Sequence, residues 1–211
     1  MWIIRLVLLG LLVVLVSTSG HFLKHRKKYE RLLENGVLNL VLVAVYNLLC
    51  YLMVALPSPS GRNVVSAPAF LAHPSVRVGY SVVGQVLTGL AALLMIVTVL
   101  QRRALGGQDV KEGLLTSGIY RYSRHPIYTG IVCMSLGLAL ASVNWEGLLM
   151  VPAVFLVNVA QAGIEERYDV GVRFRSEYKT YKKRTRMFGP VWCWAILGGI
   201  LSLLAGVPYL S

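Results

Sequence analysis

The chain has 211 residues, of which 56% are hydrophobic and only 14% charged, with a mean hydropathy of +0.64 and a formal net charge of +12. This composition excludes an ordinary soluble domain and indicates a protein whose solvent is lipid. The apolar residues form long uncharged runs near the ~20 residues that cross a hydrocarbon core as a helix, without the period-two alternation of a strand barrel.

Six such runs follow one another and predict an all-α fold, a polytopic transmembrane helical bundle of about six spans. They are residues 2–22, 36–56, 78–100, 127–143, 147–163 and 191–210. The fourth and fifth are short, and only residues 144–146 separate them, which predicts a tight helical hairpin. No internal repeat or long linker is present, so residues 1–211 are predicted to form a single membrane domain.

The positive charge is distributed as a topology signal. A basic cluster follows the first run instead of preceding it, which predicts a retained helix and not a cleaved signal peptide. With the amino terminus outside, the inner segments are about 21–35, 101–126 and 164–190, and they hold 18 of the 21 lysines and arginines. This is the bias of a cytoplasmic face. It suits anionic membrane lipids as partners and argues against nucleic acid.

Cysteine and histidine give no sign of a metal or a disulfide framework. Cys50, Cys133 and Cys193 lie in or beside apolar runs and form no closely spaced pair. The four histidines are scattered, without the spacing of metal ligands. The sequence therefore predicts no metal site.

Residues 113–130, before and into the fourth run, are rich in arginine, histidine and tyrosine. Pro126 disfavours a helical conformation at His125 and suits the first turn of the helix that follows, so Arg124, His125 and Pro126 are predicted to cap that helix. The free N–H groups of the helix start, together with Arg124 and His125, would hold an anionic group such as the carboxylate of a cofactor.

Three tyrosines, Tyr120, Tyr122 and Tyr128, accompany this cap. They would supply hydroxyls or stacking faces to a heteroaromatic ring. The alternative is an interfacial belt in which tyrosine and arginine anchor the helix at the headgroups. The residues alone leave both interpretations open.

The fifth run ends in a polar stripe, because Asn158, Gln161 and Glu165 recur at three- and four-residue steps. Such residues are expected to face protein or a cavity and not lipid. With Glu166 they would bring carboxylates to the cap, an arrangement suited to a zwitterionic, sulfonium-bearing ligand. The alternative is that both glutamates solvate the helix end or pair with Arg167.

A basic segment with spaced aromatic residues follows. Phe174, Tyr178 and Tyr181 are spaced by four and three residues among lysines and arginines. The pattern predicts an interfacial amphipathic helix, with its aromatic residues in the membrane boundary and its basic residues toward headgroups.

Together these segments resemble the isoprenylcysteine carboxyl methyltransferase and phospholipid methyltransferase superfamily. The first family motif, LxTxGxYxxxRHPxYxG, is matched by Leu114, Thr116, Gly118, Tyr120, Arg124, His125, Pro126, Tyr128 and Gly130. The second motif, EE followed by FGxxYxxY, is matched by Glu165, Glu166, Phe174, Tyr178 and Tyr181. Three features depart from the family pattern: Arg175 replaces the glycine of FG, residues 185–187 replace VPR, and Ala162 stands where the prenylcysteine enzymes carry an arginine.

The resemblance implies a catalytic core at residues 78–190, with residues 191–211 as an additional C-terminal transmembrane helix. It implies an S-adenosylmethionine-dependent methyltransferase whose acceptor is lipophilic, either an isoprenylcysteine-like carboxylate or a lipid amine or thiol, at the cytoplasmic face. The implied cofactor-binding residues are Leu114, Leu115, Tyr120, Arg124, His125, Pro126, Ile127, Tyr128, Glu165 and Glu166.

Methyl transfer from a sulfonium needs alignment more than acid–base help, so no catalytic base is assigned. The alternatives are an NADPH-dependent membrane reductase of the sterol type, which shares an RHPxY element, and a noncatalytic lipid-binding membrane protein.

Overall fold

The computed structural model describes residues 2–33, 36–56, 68–104 and 113–206. Every regular element in these ranges is helical, which confirms the all-α bundle. The seven longer helices are α1 (Trp2–Lys24), α2 (Gly36–Ala55), α3 (Pro74–Ala104), α4 (Pro126–Ala141), α5 (Trp145–Glu165), α6 (Arg175–Arg184) and α7 (Val191–Gly206). The shorter segments are Arg26–Lys28, Glu30–Leu33, Ala69–Ala72, Gly118–Arg121, Glu166–Val170 and Gly171–Arg173.

Three helical stretches in the described residues are long and apolar enough to cross a membrane: Trp2–Lys24, Pro74–Arg102 and Trp145–Arg173. Shorter apolar helices are Val41–Ala55, Pro126–Ala141 and Cys193–Ala205. The chain is thus a helical membrane protein, and six spans remain a prediction. The last five residues of the predicted C-terminal helix, 207–211, lie outside the described residues.

The fifth span is longer than the sequence predicted, because its helix continues past the paired glutamates. The residues of this continuation are mostly charged or polar, so a prediction based on apolar runs ends the helix too early. Asp169 accepts from Arg173 at 2.6 Å, one turn away, and from Arg26 at 2.7 Å. These ion pairs satisfy the charges and join the ends of α1 and α5.

The tight hairpin between α4 and α5 is confirmed, with residues 142–144 as its turn. Asn144 caps α5, since its Oδ1 accepts from the Gly147 N–H at 3.0 Å. Its Nδ2 donates to the carbonyls of Val54 and Leu56 at 3.0 and 3.1 Å. A single side chain therefore joins the hairpin to the end of α2.

A buried ion pair closes the same end of the bundle. Arg5 of α1 pairs with Glu146 of α5, and neither side chain is exposed. The Arg5 guanidinium also donates to the carbonyls of Met53 at 3.2 Å and Leu56 at 2.6 Å. Arg5 is one of the three basic residues outside the predicted inner segments, and the structure explains it as the partner of Glu146 in a contact that connects α1, α2 and α5.

Helices α3 and α4 pack through small residues. A Cβ atom built on Gly84 would lie 2.2 Å from the backbone nitrogen of Ala141, and one on Gly137 would lie 2.5 Å from the Thr88 hydroxyl. Helices in lipid associate largely through such close backbone packing, which small residues permit. The opposite faces are apolar, as at Leu90, which is 58% exposed in the chain alone.

The Gly84→Ala variant is expected to destabilise the bundle by roughly 1–3 kcal/mol, the usual cost of overpacking. The matched control is Gly89→Ala on the same helix, where no described residue of another helix lies within 4 Å of the added methyl group. That control is expected to be neutral or slightly stabilising, because alanine favours helix over glycine. Unfolding of both variants in detergent measures the difference, and equal stabilities would contradict the packing interpretation.

Helix α7 lies against α3. The Tyr80 hydroxyl donates to the Leu201 carbonyl at 3.0 Å, and the Leu204 side chain lies close to Gly79. This contact places α7 beside the amino-terminal half of α3. A helix over Val191–Gly206 therefore packs on the bundle, and its crossing of the membrane stays a prediction.

Candidate functional site at one end of the bundle

The predicted cap is present: His125 is the N-cap of α4 and Pro126 its first residue. The backbone N–H groups of Arg124 and His125 donate to the carbonyls of Arg186 and Met187 at 2.9 and 3.2 Å. The Ser123 hydroxyl also donates to Met187 O at 2.9 Å. The loop after α6 thus holds the cap in place, although its sequence departs from the family pattern.

Glu166 is at the centre of the site. Its Oε1 contacts Arg124 Nε at 2.9 Å and His125 Nε2 at 3.2 Å, and its Oε2 accepts from Lys182 Nζ at 2.6 Å. The side chain is only 4% exposed. The cap and the glutamate pair therefore meet, a contact that the sequence argument had only assumed as a condition. Glu166 itself now contacts the donors that were predicted to hold a cofactor carboxylate, because opposite charges pair.

Glu165 contacts a second set of groups. Its Oε1 accepts from the Tyr128 hydroxyl and from Gln161 Nε2, the latter at 3.3 Å. Its Oε2 lies 3.7 Å from His125 Nδ1, and the side chain is 31% exposed. Gln161 also donates to Ser19 Oγ of α1 at 3.0 Å, which confirms that the polar stripe faces protein.

The alternative pairing with Arg167 is wrong for the described residues. The Arg167 guanidinium instead lies over the Tyr168 ring, 5.3 Å from its centroid. Solvation of a helix end is also wrong for Glu166, which is buried.

A π-helical turn, Glu166–Val170, continues the helix directly after Glu165. The backbone of both glutamates is still α-helical, so their side chains diverge by about 100° and reach different partners around the cap. Such turns are frequent at functional sites. Gly171 closes this turn by donating to the Glu166 carbonyl, and a Cβ atom there would lie 2.2 Å from that oxygen.

The amphipathic helix exists as α6, but its aromatic face packs on protein. Tyr178 and Tyr181 are 5% and 8% exposed, so their predicted place in the membrane boundary is wrong. The Tyr181 hydroxyl donates to the Tyr120 carbonyl at 2.6 Å. Burial raises the pKa of the Tyr181 phenol, which keeps it a donor. Burial and the Glu166 carboxylate also raise the pKa of Tyr178.

Arg175, which replaces the motif glycine, has a φ of +33°. A side chain in this left-handed region costs about 1–2 kcal/mol, so Arg175→Gly is expected to stabilise the protein by about 1 kcal/mol. The control Lys179→Gly, inside the same exposed helix, is expected to destabilise by roughly 0.5–1 kcal/mol. Thermal unfolding in detergent measures both, and a loss of stability in Arg175→Gly would contradict the strain argument.

The remaining predicted residues lie outside the hydrogen bonds of this cluster. Leu114 and Leu115 are half-buried in the segment that enters the Gly118–Arg121 turn, outside the polar contacts. Ile127 packs against the hydrophobic core. Tyr122, proposed as a stacking residue, is 61% exposed and does not enter the site.

Three contributors were missed by the sequence analysis. Lys182 follows Tyr178 by one helical turn, so the two residues share a face of α6. Knowing that the Tyr178 face is buried against the site would have placed Lys182 beside it. Gln101 of α3 holds the turn before the cap, donating to Ser117 O at 2.9 Å. The ring centroids of Tyr46, on α2, and Tyr128 lie 6.4 Å apart. The buried Tyr46 hydroxyl has no hydrogen-bond partner among the described residues.

The fold and the site define a class of protein: a helical membrane protein with a charged cluster at one end of its bundle. Residues 78–170 match the family model described as phospholipid methyltransferase. The matched segment is similar to this family, which belongs to the superfamily that the motifs resemble. The match contains the cap and both glutamates, but not α6. No curated protein and no solved structure gave a significant match.

Proposed function

We propose that the protein transfers a methyl group from S-adenosylmethionine to a lipophilic acceptor at the cytoplasmic face of a membrane. The observation that carries this proposal is the contact between Glu166 and the donors Arg124 and His125, inside the segment that matches the methyltransferase family. The family match favours this function over an NADPH-dependent reductase.

The residues of the cluster fit S-adenosylmethionine by charge. The ligand carries an ammonium, a carboxylate and a sulfonium whose methyl group is electrophilic. Glu165 and Glu166 would hold its ammonium and ribose hydroxyls, and Arg124 and Lys182 its carboxylate. The unpartnered hydroxyl of Tyr46 is a further polar group beside Tyr128.

Binding would exchange ion pairs instead of burying new charge. Arg124 and Lys182 already neutralise Glu166, so an incoming carboxylate would compete with Glu166 for them while an incoming ammonium takes the glutamates. Such an exchange limits the desolvation cost that an isolated buried charge would incur. The protein's contribution to the reaction would be alignment in a site of low dielectric constant.

Calorimetric titration of the detergent-purified chain with S-adenosylmethionine, and separately with NADPH, tests the cofactor. We expect saturable binding of S-adenosylmethionine and none of NADPH. Selective binding of NADPH would support the reductase, and folded protein that binds neither would leave the noncatalytic lipid-binding alternative.

The acceptor class is tested by transfer of a labelled methyl group into a membrane lipid extract. A methyl ester on a carboxylate releases methanol in base, whereas N-methyl and S-methyl products keep the label. Label in the lipid fraction is expected, and its stability in base separates the two acceptor classes. Cofactor binding without any transfer would argue against the lipophilic acceptor.

A further inference from the structure

A cleft of about 970 Å³ opens beside the charged cluster. It lies between α4 and α5 on one side and the loop after α6 and the start of α7 on the other. Arg124 and Lys182 belong to both the cleft and the cluster. His125, Glu165 and Glu166 do not line it, so the cleft adjoins the cluster through the two shared side chains only.

The lining of the cleft is divided into a basic rim and an apolar wall. Among the described residues that line it, none is an aspartate or glutamate. The rim consists of Arg124, Lys182, Lys183, Arg184 and Arg186. The wall includes Val132, Leu136, Val151, Phe155, Phe188 and Trp194. This division has the amphipathic pattern of a lipid, with a headgroup at one end and a chain at the other.

Part of the rim is free to bind a ligand. Lys183, Arg184 and Arg186 are exposed and form no ion pair with any residue in the described ranges. Arg124 and Lys182, by contrast, contact Glu166. The rim therefore carries uncompensated positive charge, which is complementary to an anionic headgroup.

The depth of the cleft fits one leaflet. Leu136 lies ten residues into α4 from Pro126, which is about 15 Å at 1.5 Å per residue. That is half of the ~30 Å hydrocarbon core. On the membrane-facing side, Phe155 is 38% exposed and Val191 64% exposed.

The position of α7 forms this cleft. Tyr80 and Leu201 hold the far half of α7 on α3, while its first turn stands opposite Phe155 of α5. Near that first turn, Trp194 Nε1 donates to the Phe188 carbonyl at 2.9 Å, and the Phe188 ring lies 5.3 Å from Phe155. Helix α7 thus serves as a wall of the cleft.

We infer that this cleft binds a membrane lipid with an anionic headgroup, drawn from the leaflet at the basic end of the bundle. The headgroup contacts Lys183, Arg184 and Arg186, and one acyl chain lies along the apolar wall. This binding does not depend on methyl transfer, and it is more specific than attraction to a generally basic surface.

The test uses vesicles of phosphatidylcholine that contain a minor fraction of brominated-chain phosphatidylglycerol, or the same fraction of brominated-chain phosphatidylcholine. Bromine quenches tryptophan fluorescence at short range, and Trp194 lines the cleft. We expect stronger quenching by the brominated phosphatidylglycerol, since each basic residue near the surface contributes roughly a fivefold preference for anionic lipid. The excess should disappear in Trp194→Phe.

Two triple variants distinguish the effect of the basic residues at the cleft from the effect of basic residues elsewhere on the surface. The cleft variant carries Lys183→Gln, Arg184→Gln and Arg186→Gln. The control removes three exposed charges outside the cleft, by Lys27→Gln, Arg121→Gln and Lys179→Gln.

The cleft variant is expected to lose the excess quenching, and the control to keep most of it. Equal quenching by the two brominated lipids in the unaltered protein would overturn the inference without any variant. Equal losses in both triple variants would also overturn it, because a diffuse surface charge would then explain the preference. Neither result depends on S-adenosylmethionine, so failure here is distinct from failure of the proposed methyl transfer.

Discussion

Replacement of Glu166 by glutamine is expected to weaken the binding of S-adenosylmethionine by roughly 10- to 100-fold, the usual value of a hydrogen bond to a charged group. The carboxylate contacts Arg124, His125 and Lys182 and is 4% exposed. Glutamine keeps the shape but removes the negative charge, so the ligand ammonium loses a partner and Arg124 and Lys182 lose theirs. Calorimetric titration measures the change in affinity.

The matched control is Glu177→Gln on α6, which removes the same charge from an exposed position at the same end of the bundle. The Glu177→Gln variant should bind S-adenosylmethionine with the same affinity as the unaltered protein. Thermal unfolding of each variant shows whether the protein remains folded. If folded Glu166→Gln binds S-adenosylmethionine with undiminished affinity, this carboxylate only stabilises the cap. That result would contradict the proposed location of the cofactor site.

Local patterns in the sequence were enough to predict the centre of this site. Pro126 after His125 predicts a helix start wherever the segment lies in the fold. The steps from Asn158 to Glu165 predict one helix face. Contact between these two elements was conditional in the sequence argument, and their meeting at Glu166 is what the fold adds.

Other features depend on contacts that no local pattern contains. The aromatic residues of α6 fit a membrane boundary as well as a protein surface, and only the position of the Gly118–Arg121 turn decides for burial of Tyr181. In the sequence, Lys182 does not differ from the other basic residues of α6. Only the burial of Tyr178, on the same face of the helix, shows that Lys182 lies at the site. The π-helical turn was not predicted either. Its charged residues interrupt the apolar run, so the sequence pattern placed the end of the helix too early.

The buried pair of Arg5 and Glu146 illustrates the same limit, because residues 141 positions apart in the sequence meet in space. In the sequence Arg5 looks like a lone charge inside the first apolar run, and Glu146 like a lone charge between two runs. Together they form a hydrogen-bonded unit that also contacts the carbonyls of Met53 and Leu56. Their coupling is therefore the feature of the fold that is most open to a direct energetic test.

Removal of one partner alone, as in Glu146→Leu or Arg5→Met, is expected to destabilise the protein by about 3–5 kcal/mol, because an uncompensated charge remains buried. The double variant should recover much of that loss, since it leaves no buried charge. Recovery should be incomplete, because the Met53 carbonyl loses its Arg5 donor, whereas the Leu56 carbonyl keeps Asn144. Unfolding in detergent gives the free energies for the double-mutant cycle.

The control is Arg77→Met, an exposed arginine at the same end of the bundle, which is expected to change stability by no more than about 0.5 kcal/mol. A coupling free energy of at least about 2 kcal/mol is expected for Arg5 and Glu146. Additive effects in the double variant would contradict the ion pair. A large loss in Arg77→Met would instead mean that any positive charge at this end stabilises the fold, so the specific pairing of α1 with α5 would not be the cause.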